Sequence, residues 1–202
     1  DPNSVKSLGG ATLTRQPDGT YLASGVNPAN DVYEVASPLP AGSLSGVLLE
    51  TFPDASLPNQ SLGRYPNGNY VLTRVEVEVR ATSLSQPLIG LVKRADADYS
   101  QKGWEIDNVV GGNRAKGWAI DGNDPDKRLP RRAMFLLDRP LTAPADATLI
   151  VRLHHEAINQ HNIGRFRLSR TSLPVGAVSL QGATIPATLA ALLDVEPTKR
   201  TE

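Results

Sequence analysis

An all-β fold, an antiparallel sandwich in a single domain, is what this sequence predicts. Three observations carry that reading. The stretch Val71–Arg80 alternates strictly: Val71, Thr73, Val75, Val77 and Val79 share one face, and Leu72, Arg74, Glu76, Glu78 and Arg80 the other, which is the period of a half-buried strand. The 17 glycines and 16 prolines are dispersed rather than clustered, as many short strands joined by turns require. No strand–helix–strand alternation interrupts the pattern, so a parallel sheet is not expected.

Residues 1–10 read as a leader, 11–172 as the sandwich and 173–202 as a linker. Ala11–Arg15 and Thr20–Ser24 flank Pro17-Asp18-Gly19, a hairpin turn in which Pro fixes φ and Gly accepts a positive one. Strands follow over Asp31–Ala36 and Ser45–Phe52. A long polar loop, 54–69, then feeds the Val71–Arg80 strand. Pro87–Ala95 reads as a buried strand ending in an acidic turn, 96–99. Two Gly-Trp segments, Gly103–Ile106 and Lys116–Ile120, are expected to pair across Gly111–Asn113. After the charged loop 121–130, Arg132–Asp138, Thr148–Glu156 and Gly164–Thr171 complete about nine or ten short segments. In the linker, Ile185–Leu193 reads as a short helix with Pro186 in its first turn and Leu189, Leu192 and Leu193 on one face. Pro197–Glu202 reads as the entrance to another helix, with Thr201 as its N-cap. The expectation is a piece of a longer protein, its neighbouring domain lying beyond.

Composition narrows the function. Lys plus Arg and Asp plus Glu both number 21, which gives no long-range field for nucleic acid or an anionic membrane. No apolar run approaches the roughly 20 residues of a membrane span. With no cysteine, disulfides, thiolate metal sites, thiol nucleophiles and Cys-linked haem are excluded. No catalytic residue is assigned. Gly42-Ser43-Leu44-Ser45-Gly46 has Leu where a nucleophile elbow needs Ser. His155-Glu156 is followed at 159 by Asn, not by the His of a zinc protease. On a regular strand His154 and His155 face opposite sides, and His161 orders the turn before Gly164.

Binding residues are the sharper question. Exposed aromatic rings match the apolar C–H face of a sugar at little entropic cost. The candidate ligand contacts are Trp104, Tyr65 and Tyr99, with Arg64, Asn67, Asn69 and Asp98 as polar groups; Trp118, between Gly117 and Ala119-Ile120, reads as core. Asp54, Asn67, Asn69 and Glu50 offer oxygens to a calcium ion, or serve as turn residues bonding their own backbone. The oxygen-rich Asp121–Asp126 loop breaks EF-hand spacing at Pro125 and reads as solvated. Arg152, Arg165 and Arg167 form either a basic stripe for an acidic glycan or ion pairs with Glu76 and Glu78.

The chain also resembles a known family, on these pieces in one order: Gly10-Ala11-Thr12-Leu13, Asp18-Gly19-Thr20, Asp31-Val32-Tyr33, Ser56-Leu57-Pro58, Gly63-Arg64, Asn67–Thr73, Ala97–Gln101, Gly117–Ile120, Ala133-Met134-Phe135 and His161 leading into Gly164–Ser169. It is similar over Leu8–Thr171 to the β-sandwich module of large planctomycete-type cytochrome c proteins. The resemblance implies a jelly-roll of the galactose-binding or concanavalin-like kind, in an exported protein, periplasmic or extracellular, held near polysaccharide. The family often has His before its Ala-x-Phe strand; here Arg131-Arg132 stand there. The functional expectation is therefore a non-catalytic carbohydrate-binding-like module of a larger cytochrome-associated protein. The alternative is a structural spacer that docks neighbouring domains. A hydrolase would need two carboxylates converging in a cleft.

Overall fold

A computed structural model describes residues 1–111 and 114–180. The expected helices at Ile185–Leu193 and after Pro197 lie outside the described residues. Among those described, eleven strands appear: β1 (Ser4–Ser7), β2 (Ala11–Arg15), β3 (Tyr21–Gly25), β4 (Asp31–Leu39), β5 (Gly42–Thr51), β6 (Arg74–Arg80), β7 (Leu88–Gly90), β8 (Val92–Ala97), β9 (Arg131–Ala143), β10 (Ala147–His155) and β11 (Arg165–Thr171). They form two antiparallel sheets, ordered β1-β4-β10-β6-β7 and β2-β3-β11-β5-β9-β8. The sheets pack face to face as a jelly-roll-like sandwich. No described helix is long and apolar enough to cross a membrane.

The alternation read in the sequence places the core. Val75, Val77 and Val79 of β6 are buried beside Leu149, Val151 and Leu153 of β10. Tyr33, Phe135, Phe166 and Trp118 are fully buried across the interior. Each such aliphatic side chain contributes about 1.5–3 kcal/mol of burial. The hairpin forms as expected, Gln16 N–H donating to Thr20 O and Gly19 standing at φ +79°.

Two elements differ from expectation. Residues 4–7 are not leader; they form β1, an edge strand in register with β4 from Ser4↔Ala36 to Ser7↔Tyr33. Buried Asp31 is the clamp: its carboxylate accepts from Ser7 Oγ, Gly9 N–H and its neighbour Val32 N–H. Pro87–Ala95 is not one buried strand either. The chain leaves the first sheet after Gly90 and enters the second at Val92, with Ile89 and Leu91 exposed. Asp96 and Ala97 belong to β8 rather than to a turn.

The outer face of the first sheet carries a charge row. Register sets Lys6 opposite Glu34, Glu34 opposite Arg152 and Arg152 opposite Glu76, so signs alternate across four strands. Arg152 Nε donates to Glu34 at 2.7 Å and Nη1 to Glu78 at 2.8 Å. Burial pushes the Glu78 carboxyl up, but hydrogen bonds from Arg80 and Arg152 outweigh it and hold it below the usual range. Glu34 behaves alike, through Lys6 and Arg152. Arg152→Met is expected to cost about 1–3 kcal/mol at pH 7, because two largely covered carboxylates lose a shared partner. Carboxyls held low stabilise the fold above their unfolded pKa, and that contribution fades as pH falls through the folded value. The cost, read from urea midpoints, therefore shrinks in acid.

Candidate functional site

The loop 62–70 is built by backbone bonds before any side chain acts. Gly68 N–H donates to Tyr65 O, and Gly63 N–H to Gly68 O. Gly63 permits this: a Cβ there would lie 1.9 Å from Asn69 O and 2.1 Å from its carbonyl carbon. The loop is then sewn down on both sides. Arg64 N–H donates to Asn162 O and Val71 N–H to His161 O, while Leu72 and Trp118 exchange both N–H···O bonds. Gly117 allows that second approach, since its Cβ would meet Leu72 O at 2.3 Å.

Most of the expected ligand groups are consumed by this scaffold. Arg64 donates both Nη groups to Val26 O and Gly25 O at 2.8 Å, strapping the loop to β3. Asn67 Oδ1 accepts Asn69 N–H, a local turn. Asn69 is buried, its Oδ1 accepting Ile120 N–H and its Nδ2 donating to Gln101 Oε1 at 2.8 Å. Tyr65 stacks on His161, centroids 4.0 Å apart at 20°. Burial lowers the His161 pKa, partly offset by its Nδ1 bond to Asn159 O. The Tyr99 ring lies beneath the Arg131 guanidinium at 4.5 Å and the Lys127 ammonium at 5.4 Å. Asp98 accepts Arg132 N–H at 3.0 Å.

Trp104 is different. Its backbone is fixed, N–H to Gln101 O and carbonyl accepting from Ala119 N–H, so the two Gly-Trp segments do touch. Its side chain is half-buried. Among the described residues, its indole has no ring partner and its Nε1 no acceptor. Trp118 is core as expected, fully buried against Tyr70 at 5.4 Å, its Nε1 donating to Tyr99 O.

The oxygens proposed for calcium do not assemble. Asp54 Oδ1 accepts from Ser56 N–H and Oγ, and Oδ2 takes Arg165 at 2.9 Å. Burial raises the Asp54 pKa, but the Ser56 bonds and Arg165 carry it below its ordinary value. Glu50 takes Arg167 at 2.8 Å, and Asn67 and Asn69 are spent as above. A guanidinium already neutralises each carboxylate, which opposes a dication. Among the described residues no three His, Cys, Asp or Glu gather as a metal site.

The arginine stripe is likewise corrected. Arg152 is on the first sheet and Arg165 and Arg167 on the second, where Arg165 pairs with Asp18 and Asp54 and Arg167 with Glu50. Asp18 and Asp54 therefore converge on the Arg165 guanidinium. His154 and His155 do face opposite ways: His154 meets Arg74, Glu76 and Glu156, and His155 packs on Tyr33 at 4.9 Å. Sequence reasoning missed the Tyr65–His161 stack and the two cations on Tyr99. Both pair residues distant in the chain, and no local pattern signals them. A scan against protein-family models finds no match to the chain, and a search of curated proteins finds none either.

Proposed function

We propose that this chain is a non-catalytic carbohydrate-binding-like module whose contact platform is Trp104. The observation that carries this reading is the indole itself: half-buried rather than in the core, and, among the described residues, unstacked and with its Nε1 donor unused, on a backbone fixed by hydrogen bonds. An apolar sugar face fits such a plane, and Nε1–H can donate to a hydroxyl. Gln101 lies on the same turn, already oriented by Asn69 Nδ2 and Asp121 N–H on its Oε1. The proposed setting, an exported bacterial cytochrome-associated protein with neighbouring domains, rests on the family resemblance.

Trp104→Ala is expected to weaken binding to its polysaccharide about tenfold or more, a loss of about 1.4 kcal/mol or more. The melting temperature should fall only modestly, since the half-buried indole covers some apolar surface but lies outside the core. Affinity electrophoresis on neutral and sulfated polysaccharides, with and without calcium, measures this; calcium is expected to change nothing. Wild-type protein that binds none of the panel, or an alanine variant that binds as well, would overturn the reading. The spacer alternative would then stand, favoured by one observation: Arg64, Tyr65, Asn67 and Asn69 all serve the loop they sit on.

A further inference from the structure

Strand β11 is paired on both sides for only part of its length. Toward β5 it is matched from Phe166↔Thr51 to Thr171↔Gly46. Toward β3 the pairing is Arg165↔Leu22 and Phe166↔Tyr21. Peptide groups alternate sides along an antiparallel strand. Arg165 O faces β5, accepting from Phe52 N–H, and Gly164 O faces β3, accepting from Ala23 N–H. The N–H and C=O groups of Leu168 and Arg170 therefore face the β3 side. There β3 has already ended: the β2–β3 turn closes on itself through Gly19 N–H to Gln16 O. Among the described residues, two residues of β11 thus present an unpaired edge.

That edge borders the mouth of the sandwich. A cavity of about 390 Å³ opens between the sheets; Tyr21, Val35, Leu149, Phe166 and Leu168 line it, and Asp1, Pro2 and Arg170 also border it. Leu168 and Arg170 share the Phe166 side of β11, which faces the interior. Arg170 is exposed and has no ion pair among the described residues, unlike Arg165 and Arg167 on the same strand. An unpaired edge beside apolar space is the geometry for strand addition, in which main-chain bonds hold the guest and alternate side chains select it.

We propose that this mouth captures an extended acidic segment of a partner protein as an added strand on β11, in line with β3. The guest runs antiparallel to β11. One side chain, apolar, enters the cavity opposite Leu168, and the acidic residue two positions earlier meets Arg170. Charge complementarity chooses this occupant: the Asp1 carboxylate at the same mouth is already paired with Arg15 at 2.8 Å, which leaves the Arg170 guanidinium as the charge to be met. The inference is independent of the glycan reading, whose platform is Trp104.

The test uses the whole chain and the fluorescein-labelled peptide acetyl-Thr-Glu-Thr-Val-Thr-amide, with a Lys-for-Glu peptide as control. Saturable binding is expected, with the amides of Leu168 and Arg170 exchanging rapidly in the free protein and protected in the complex. Arg170→Glu should weaken the acidic peptide by about tenfold or more and reverse the preference between the two peptides. Arg170→Gln, which keeps the stem, should give an intermediate loss. Equal binding of both peptides to wild type overturns the proposal, as does prior protection of both amides or the absence of any shift at them. Decanoate binding without peptide binding would make the mouth a fatty-acid site. Concentration-dependent dimerisation that protects the same amides would make a second copy the occupant. Either result also overturns it.

Discussion

Gly63→Ala is expected to destabilise the protein by at least about 3 kcal/mol, the range reserved for substitutions that the backbone cannot accommodate. The new Cβ would stand 1.9 Å from Asn69 O and 2.7 Å from Tyr70 N. Neither atom is the end of a flexible side chain. Tyr70 is fully buried, and the next residues bond to His161 and Trp118 on opposite sides. The loop cannot retreat without parting those bonds. Gly176→Ala is the control, because among the described residues nothing lies within 4 Å of its Cβ position and its cost should be near zero. Urea denaturation of the two variants checks the contrast. Equal stability would mean that the loop is not held as described.

His155→Leu is expected to flatten the acid side of the stability curve. The wild-type imidazole is fully buried against Tyr33, and neither ring nitrogen has a partner of good hydrogen-bond geometry. Burial pulls its pKa down to about 3, with His154 adding to the effect and the Asp31 backbone opposing it. Unfolded, the group titrates near 6.5. Between those values the unfolded chain binds the extra proton, so stability falls as pH drops from about 6.5 toward 3. From pH 7 to pH 4 this amounts to about 3 kcal/mol that the leucine variant should not lose. The carboxylates that weaken in acid are common to both proteins and cancel in the comparison. Urea midpoints at the two pH values measure it. Parallel losses in both proteins would contradict the burial of His155.

What could be read beforehand was whatever has a local period. The valines of β6, the Pro17-Asp18-Gly19 hairpin and the core position of Trp118 follow from neighbours in sequence. Features set by register between distant strands could not be read. Glu78 looks like any exposed glutamate until β10 brings Arg152 beside it. Residues 4–7 have no strand pattern of their own and are recruited by Asp31, more than twenty positions away. Ile89 and Leu91 suggested burial by hydropathy, but the chain is changing sheets there and neither is covered. In the candidate site, residue types were identified without their obligations. Asn67, Asn69 and Arg64 are suited to a ligand, and the loop uses them first. The turn chemistry weighed against calcium explains Asn67 and Asp54, each of which accepts from a backbone N–H two residues on. Trp104 is fixed in its backbone, and among the described residues no ring partners its indole, so the proposed contact role rests on it.

The two tryptophans give the most direct test of that account, because each carries one indole N–H and their settings are opposite. Trp118 Nε1 is bonded to Tyr99 O in the core, whereas Trp104 is only half-buried and its Nε1 makes no hydrogen bond among the described residues. In a ¹⁵N-resolved NMR spectrum of the whole chain, titrated with each polysaccharide of the panel, a saturable shift is expected at the Trp104 indole signal alone, the Trp118 signal staying in place. A Trp104 signal that holds still against every polysaccharide, while the fold remains intact, would contradict the proposed role of this surface.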